Sequence, residues 1–307
     1  MDALLNLSEE VRSALADGRP VVALESSLIT VSPSVEPILD IEKAVRDAGA
    51  VPATIGIDGG RFLVGMEPEQ IEQIRTTPRV PKVSARDLGA VLAGGGPGAT
   101  TVAATVVIAE RAGIEVFSTA GVGGVHRRAQ QTFDVSPDLL QFTRTRIAVV
   151  CGGAKSILDH TLTAEYLETA GVPVLGYQTD RLPAFYVRKT DIPVSPVYDL
   201  QLAARAMRAH WEVNGGGTVL LVAPVAEDDA LDGAFVEEAI GRALEEADRA
   251  GVTGNAVSPF LMRTVSKSTG GRTGAAGRSL LLSTARLAGE LATSLAASRA
   301  HGAEATR

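Results

Sequence analysis

Short apolar runs rich in Val, Ile and Ala alternate along the chain with longer stretches in which apolar residues recur about every three to four positions. The short runs at 21–24, 53–57, 80–83, 115–118, 147–151, 172–175 and 218–222 predict strands. Several are apolar at odd and even positions alike, so both faces should be covered, as in a parallel sheet between helical layers. The longer stretches predict helices over 38–48, 69–75, 101–112, 163–170, 200–211, 235–250 and 279–300. Gly49, Gly113 and Gly171 stand directly after three of them, where a left-handed residue closes a helix at little cost. Ser136-Pro137-Asp138 reads as a helix start with a capping hydroxyl, a proline in the first turn and an acid behind it. Asp58-Gly59-Gly60 predicts a tight turn into 62–64, a local hairpin in an otherwise parallel pattern. No linker rich in Pro, Ser or charge divides the chain, and no internal repeat is visible. The expected fold class is α/β, one α/β/α domain over 1–307 around a mainly parallel sheet.

Composition narrows the partners. With 45% hydrophobic and 21% charged residues, the 307-residue chain can bury a substantial core. Its 29 Lys and Arg against 36 Asp and Glu give a net charge of −7, the wrong sign for a nucleic-acid partner. Aromatics at 4% supply few stacking surfaces, which favours a small polar ligand held by hydrogen bonds. The single cysteine, Cys151, leaves no disulfide framework and no thiolate cluster, and predicts a reducing compartment. No basic stretch leads into an apolar one near Met1, and no apolar run reaches the roughly 18 residues of a membrane span. A cytoplasmic protein with no membrane partner is expected.

Candidate chemistry gathers after the predicted strands. Three glycine-rich turns, at 94–98, 120–124 and 152–153, could let backbone N–H groups approach an oxyanion; tight helix-to-sheet packing is the alternative. None matches a nucleotide-binding fingerprint. Lys155 lies just beyond a strand end, where it could attack a carbonyl as a neutral amine or simply bind phosphate. Lys82, inside a predicted strand, could contact a ligand or place positive charge beside Lys155. Glu25 ends its strand as a general acid or base, or as a cap. Asp134 and Asp138 flank Ser136, a set of hard oxygens that could hold a divalent cation; capping explains Asp138 equally well. His126 follows the second glycine turn and could be structural or functional. Cys151, with no adjacent His, reads as a small buried apolar residue.

These segments resemble the pseudouridine-5'-phosphate glycosidase family. The likeness is carried by Ala23-Leu24-Glu25-Ser26, Lys82-Val83-Ser84, Gly98-Ala99-Thr100-Thr101-Val102 and Gly123-Gly124-Val125-His126-Arg127. It continues through Thr132-Phe133-Asp134, Gly153-Ala154-Lys155-Ser156 and Gly176-Tyr177-Gln178-Thr179. The resemblance implies an indigoidine-synthase-A-like α/β/α fold, a homotrimer, and a lyase for the C–C bond between uracil and ribose 5-phosphate. It implies Lys155 as the imine-forming nucleophile and Glu25 as proton donor and acceptor. Asp134 would anchor Mn²⁺ or a similar ion that helps hold the phosphate. Lys82, Val102, Ser136, Pro137 and Asp138 would contact the substrate, with His126 beside them. A C–C glycosidic bond has no leaving oxygen to protonate, so the imine supplies the electron sink that two facing acids cannot.

The chain departs from the family pattern at Pro97 (usually Asn), Ala120 (Gly), Arg128 (Gly), Gln131 (His) and Ser283-Thr284 (Asn-Asn). If the lost amides grip uracil, the base should bind more weakly than in a typical member. Two alternatives therefore stand beside uracil chemistry: a C-glycosynthase joining ribose 5-phosphate to another aromatic acceptor, and a non-catalytic sugar-phosphate-binding protein. Retention of Glu25, Lys82, Asp134 and Lys155 together favours catalysis.

Overall fold

The computed structural model describes residues 2–305. An 11-stranded sheet crosses the molecule, with its main path running Leu5–Leu7, Arg61–Val64, Val51–Asp58, Val21–Leu24, Val116–Ser118, Ala148–Cys151, Val219–Val222, Val174–Tyr177 and Ser195–Val197. Neighbours along it pair in parallel except Val51–Asp58 with Arg61–Val64, the expected hairpin. Val51–Asp58 overshoots its parallel neighbour and receives Gly98–Thr100 antiparallel; Lys82–Val83 then pairs in parallel with Gly98–Thr100.

The central strands are buried on both faces, as their unbroken apolar runs require. Alternate residues divide between two cores. Val22, Leu24, Val150 and Leu221 face Leu287, Leu291 and Leu295 of the long helix Arg272–Ala305. Phe117, Val149 and Val222 face the other way, toward Val106 and Ile108 of helix Val102–Ala112 and Leu139 of Pro137–Phe142. Phe117 is fully buried, and truncating it to Ala should cost about 3–5 kcal/mol.

Several expectations are corrected. The strand at 80–83 is only Lys82–Val83, and the one at 172–175 begins two residues later, at Val174, after Pro173. The glycine run at 94–98 follows no strand: it closes helix Leu88–Gly94, with Gly95 at φ 69° as a left-handed cap. It is a helix terminator leading into Gly98–Thr100. The helix at 279–300 is the interior of Arg272–Ala305. No helix among the described residues is long and apolar enough to cross a membrane.

Candidate active site

The site is assembled by hydrogen bonds that sew strand-end loops together. Glu25 directly follows Val21–Leu24. The next residues lock onto Gly98–Thr100: Ser27 N–H donates to the Thr100 carbonyl at 3.0 Å, and Thr100 N–H donates to Ser26 Oγ at 2.8 Å. Thr100 Oγ1 donates in turn to the Ile55 carbonyl at 2.8 Å. Since Lys82–Val83 pairs with Ala99 and Thr100, Lys82 is brought to the Glu25 end of the sheet. The Glu25 carboxylate is clamped on both oxygens, Oε2 by Ser27 Oγ at 2.6 Å and Oε1 by Thr119 Oγ1 at 2.7 Å.

On the other side, two glycine loops grip each other. Gly152 N–H donates to the Ala120 carbonyl (2.8 Å), Val122 N–H to that of Gly153 (3.1 Å), and Lys155 N–H to that of Val122 (3.1 Å). A Cβ at Gly121 would lie 2.4 Å from Phe185, and one at Gly153 would lie 2.2 Å from the Pro183 carbonyl oxygen. These glycines serve close packing, the alternative to anion binding, and several of their N–H groups are spent inside the protein. Ala120, a departure from the family's glycine, falls at a position that tolerates a methyl.

Asp138 joins the two halves. It is buried, with Oδ1 accepting from Ala103 N–H at 3.0 Å and Oδ2 from Gly123 N–H at 2.8 Å. Burial raises its pKa, opposed by Lys155 and by these N–H donors. The expected cluster of Asp134, Ser136 and Asp138 is thereby split. Asp138 turns inward as a clamp, and Ser136 caps its own helix by accepting from Asp138 N–H at 3.3 Å. Pro137 opens that helix on an exposed position.

The charged groups come together as the sequence implied. Burial lowers the Lys82 pKa and the Lys155 cation lowers it further, while Glu25 and Asp138 oppose the shift; the residue still reaches solvent. Val102, buried, begins the helix beside it. His126 is buried, with Nδ1 3.6 Å from Asp134 Oδ2 and Nε2 3.2 Å from Ser258 Oγ. Burial depresses its pKa, Asp134 opposes this, and Lys155 adds to it. Strand Leu158–Asp159, just past Lys155, pairs with Val125–His126, which fixes the spacing of lysine and histidine. Burial pushes the Cys151 thiol up to about 12, so it is no nucleophile.

Among the described residues no three His, Cys, Asp or Glu side chains form a metal cage. The half-buried Asp134 carboxylate fits a different mode, in which a hard divalent ion takes one protein carboxylate and completes its shell with water and substrate oxygens. Thr119 and Ser27, which hold Glu25, were not singled out from the sequence, although Thr119 directly follows a strand end.

Thr284 Oγ1 donates to the Leu280 carbonyl at 2.8 Å and Ser283 Oγ to the same carbonyl at 3.0 Å, so both hydroxyls return to their own helix. Pro97 lines a separate crevice with Asn6, Asp58, Arg61 and Gln73. Gln131 is exposed. Arg128 takes φ 64°, which explains glycine there in the family, and its guanidinium pairs with Asp248 at 2.6 Å.

A parallel α/β/α core with two lysines and a clamped glutamate at its strand ends defines an enzyme acting on a small polar substrate. The chain belongs to the Indigoidine synthase A like protein family, which it matches over residues 10–294. It is 49% identical over 295 residues to pseudouridine-5'-phosphate glycosidase of Dickeya dadantii, covering 94% of this chain and 93% of that one. The glycosidase of Hahella chejuensis is 47% identical, with 96% and 99% covered. Among solved structures, the prealnumycin C-glycosynthase AlnA in complex with ribulose 5-phosphate superposes with a TM-score of 0.94 at 62% identity, covering 98% of this chain and 100% of that one. An indigoidine synthase A-like protein from Thermotoga maritima gives 0.86 at 32% identity, with 95% and 97% covered.

Proposed function

We propose that the protein breaks or makes the C–C bond joining C1 of ribose 5-phosphate to a base, with pseudouridine 5'-phosphate as substrate and Lys155 as imine-forming nucleophile. The observation that carries this is the meeting of Lys155, Lys82 and Glu25 at one sheet end while both oxygens of Asp138 are committed to backbone N–H groups. A lysine and one proton-transferring carboxylate suit imine chemistry better than paired-acid hydrolysis.

In the synthetic direction the Lys155 amine adds to the open-chain aldehyde of the sugar and water leaves, giving an imine at C1. The nucleophilic carbon of the base attacks C1, the C=N electron pair moves to nitrogen, and Glu25 takes the proton from that carbon. Ring closure forms the O4–C1 bond as the C1–N bond breaks and frees the lysine. Cleavage is the reverse and consumes the water. Ser27 and Thr119 hold Glu25 for both proton transfers. A divalent ion such as Mn²⁺, held by Asp134, would supply positive charge to substrate oxygens. We read the enzyme as a cytoplasmic homotrimer, in keeping with its single buried cysteine and the family resemblance.

A second reading is favoured by one observation: identity to the C-glycosynthase, 62%, exceeds the 49% shared with the Dickeya glycosidase. The same sugar chemistry would then serve a non-uracil aromatic acceptor. Steady-state kinetics decide between the two. Efficient cleavage of pseudouridine 5'-phosphate supports the first reading; slow cleavage alongside rapid coupling of ribose 5-phosphate to a non-uracil aromatic acceptor supports the second. Neither reaction in an enzyme able to bind ribose 5-phosphate returns the chain to a binding role.

A further inference from the structure

Residues 151–158 are buried except Lys155, which alone of that run is half-buried. Its backbone is fixed locally: Lys155 N–H donates to the Val122 carbonyl, and its own carbonyl accepts from Leu158 N–H at 3.0 Å. Segment 183–186 then grips the run on both sides of the lysine. Ahead of it, the Gly152 carbonyl accepts from Phe185 N–H at 2.9 Å. Behind it, Ser156, 2% exposed, donates its hydroxyl proton to the Ala184 carbonyl at 2.7 Å and accepts from Tyr186 N–H at 3.3 Å. The Ser156 carbonyl takes a further bond from Arg127 Nη2 at 3.2 Å, and Glu237 holds that guanidinium at 2.7 Å.

The gripping segment is bent in a way its own sequence disfavours. Ala184 and Val187 exchange backbone hydrogen bonds at 2.9 and 3.3 Å, which leaves Phe185 and Tyr186 as a two-residue turn. Phe185 takes φ 62°, a conformation ordinarily left to glycine at such a corner. Of five residues other than glycine with positive φ among those described, Arg79, Arg128, Phe133 and Gln178 are exposed, and Phe185 alone is buried. Strain of this kind persists only where the surroundings over-determine the backbone. Here the Phe185 ring fills the space of the missing Cβ of Gly121, its N–H is tied to Gly152, and the Ser156 hydroxyl bonds the residues on either side of it. All of these ties end on the two glycine loops that carry the lysine.

We propose that Ser156 is a positioning residue for the nucleophile: held at its hydroxyl by the strained turn and at its carbonyl by Arg127, it sets the angle at which the Lys155 amine meets C1 of the sugar. This rests on the imine reading above. The hydroxyl proton is spent inside the protein and the residue is buried, so Ser156 acts only through Lys155. Alanine at 156 would strip the Tyr186 N–H of its partner and the Ala184 carbonyl of its shorter one, and the turn would part from the loop.

The test measures, in a single turnover, the rate at which ribose 5-phosphate becomes trappable by borohydride on Lys155, in the parent and in Ser156→Ala. Calorimetry with ribose 5-phosphate in the Lys155→Ala background, with and without Ser156→Ala, gives the non-covalent affinity. The trapping rate should fall by roughly ten- to a hundredfold, the scale on which a small misplacement of a reacting group acts, while the non-covalent affinity stays unchanged. An unchanged trapping rate overturns the proposal, as does a loss of affinity equal to the loss of rate. Should Ser156→Ala fail to fold, Arg127→Lys, which removes the bond to the Ser156 carbonyl and keeps the charge, carries the test: its trapping rate should fall, and an unchanged one overturns the proposal. Trapping at equal rates in parent and variant sinks the positioning role alone. No trapping in the parent sinks the imine; the hold on the loop is then read from amide hydrogen exchange, where the Lys155 and Phe185 N–H groups should exchange at least about tenfold faster in Ser156→Ala, and equal exchange overturns it as well.

Discussion

The Thr119 hydroxyl donates to Oε1 of Glu25 at 2.7 Å, tying the residue after one strand to the residue after its neighbour. Ser27 occupies Oε2 at 2.6 Å, so the carboxylate is held at a fixed angle before any substrate arrives. Such preorganisation matters most for a group that must both take and return a proton at one carbon.

Thr119→Val removes this bond while keeping the side-chain shape. Losing one hydrogen bond to a charged group should lower kcat by roughly ten- to a hundredfold. KM for the sugar phosphate should move little, and Thr119→Ser should restore most of the rate. Steady-state kinetics on the three proteins check this; a rise in KM at unchanged kcat would assign Thr119 to substrate binding instead.

Asp134 is expected to anchor a divalent ion by its single carboxylate. Calorimetric titration with Mn²⁺ should show binding in the parent and a loss of at least about ten- to a hundredfold in Asp134→Asn. Activity should fall on chelation and return with Mn²⁺. Equal Mn²⁺ affinity in the two proteins rejects the assignment.

Acid stability offers an independent check on the packing near Lys155. Burial holds the His160 pKa down at about 4, with the Arg127 cation adding to the shift and Glu237 and Asp159 opposing it. The folded state thus favours neutral His160, while the unfolded chain takes up a proton near pH 6.5. Stability from this group is present above pH 6.5 and lost as pH falls toward 4, by at most about 3 kcal/mol. Thermal midpoints measured across that window should slope in the parent and flatten in His160→Gln; parallel curves would show that the histidine is protonated in the folded state.

Lys155 and Glu25 were legible because strand ends can be read from apolar runs that stop abruptly, and a charged residue at such a stop faces the ligand side of a parallel sheet. The packing role of the glycine loops was not legible, for a related reason. Gly121 and Gly153 are required by Phe185 and Pro183, partners far along the chain whose approach no local pattern announces. For Asp138 the sequence left a cation ligand and a helix-start acid open, because Ser136-Pro137-Asp138 is a sound helix start, which it is; that its carboxylate turns inward to Ala103 and Gly123 depends on tertiary contacts alone. Ser283 and Thr284 both return their hydroxyl protons to the Leu280 carbonyl, as hydroxyls in a helix commonly do.

The central claim is covalent attachment of the sugar to Lys155, and borohydride reduction with ribose 5-phosphate followed by peptide mass mapping tests it most directly. The account predicts a reduced adduct on the peptide carrying Lys155, absent from Lys155→Ala and still formed in Thr119→Val. An adduct on Lys82 or another lysine, or none from enzyme shown to be active, would contradict it.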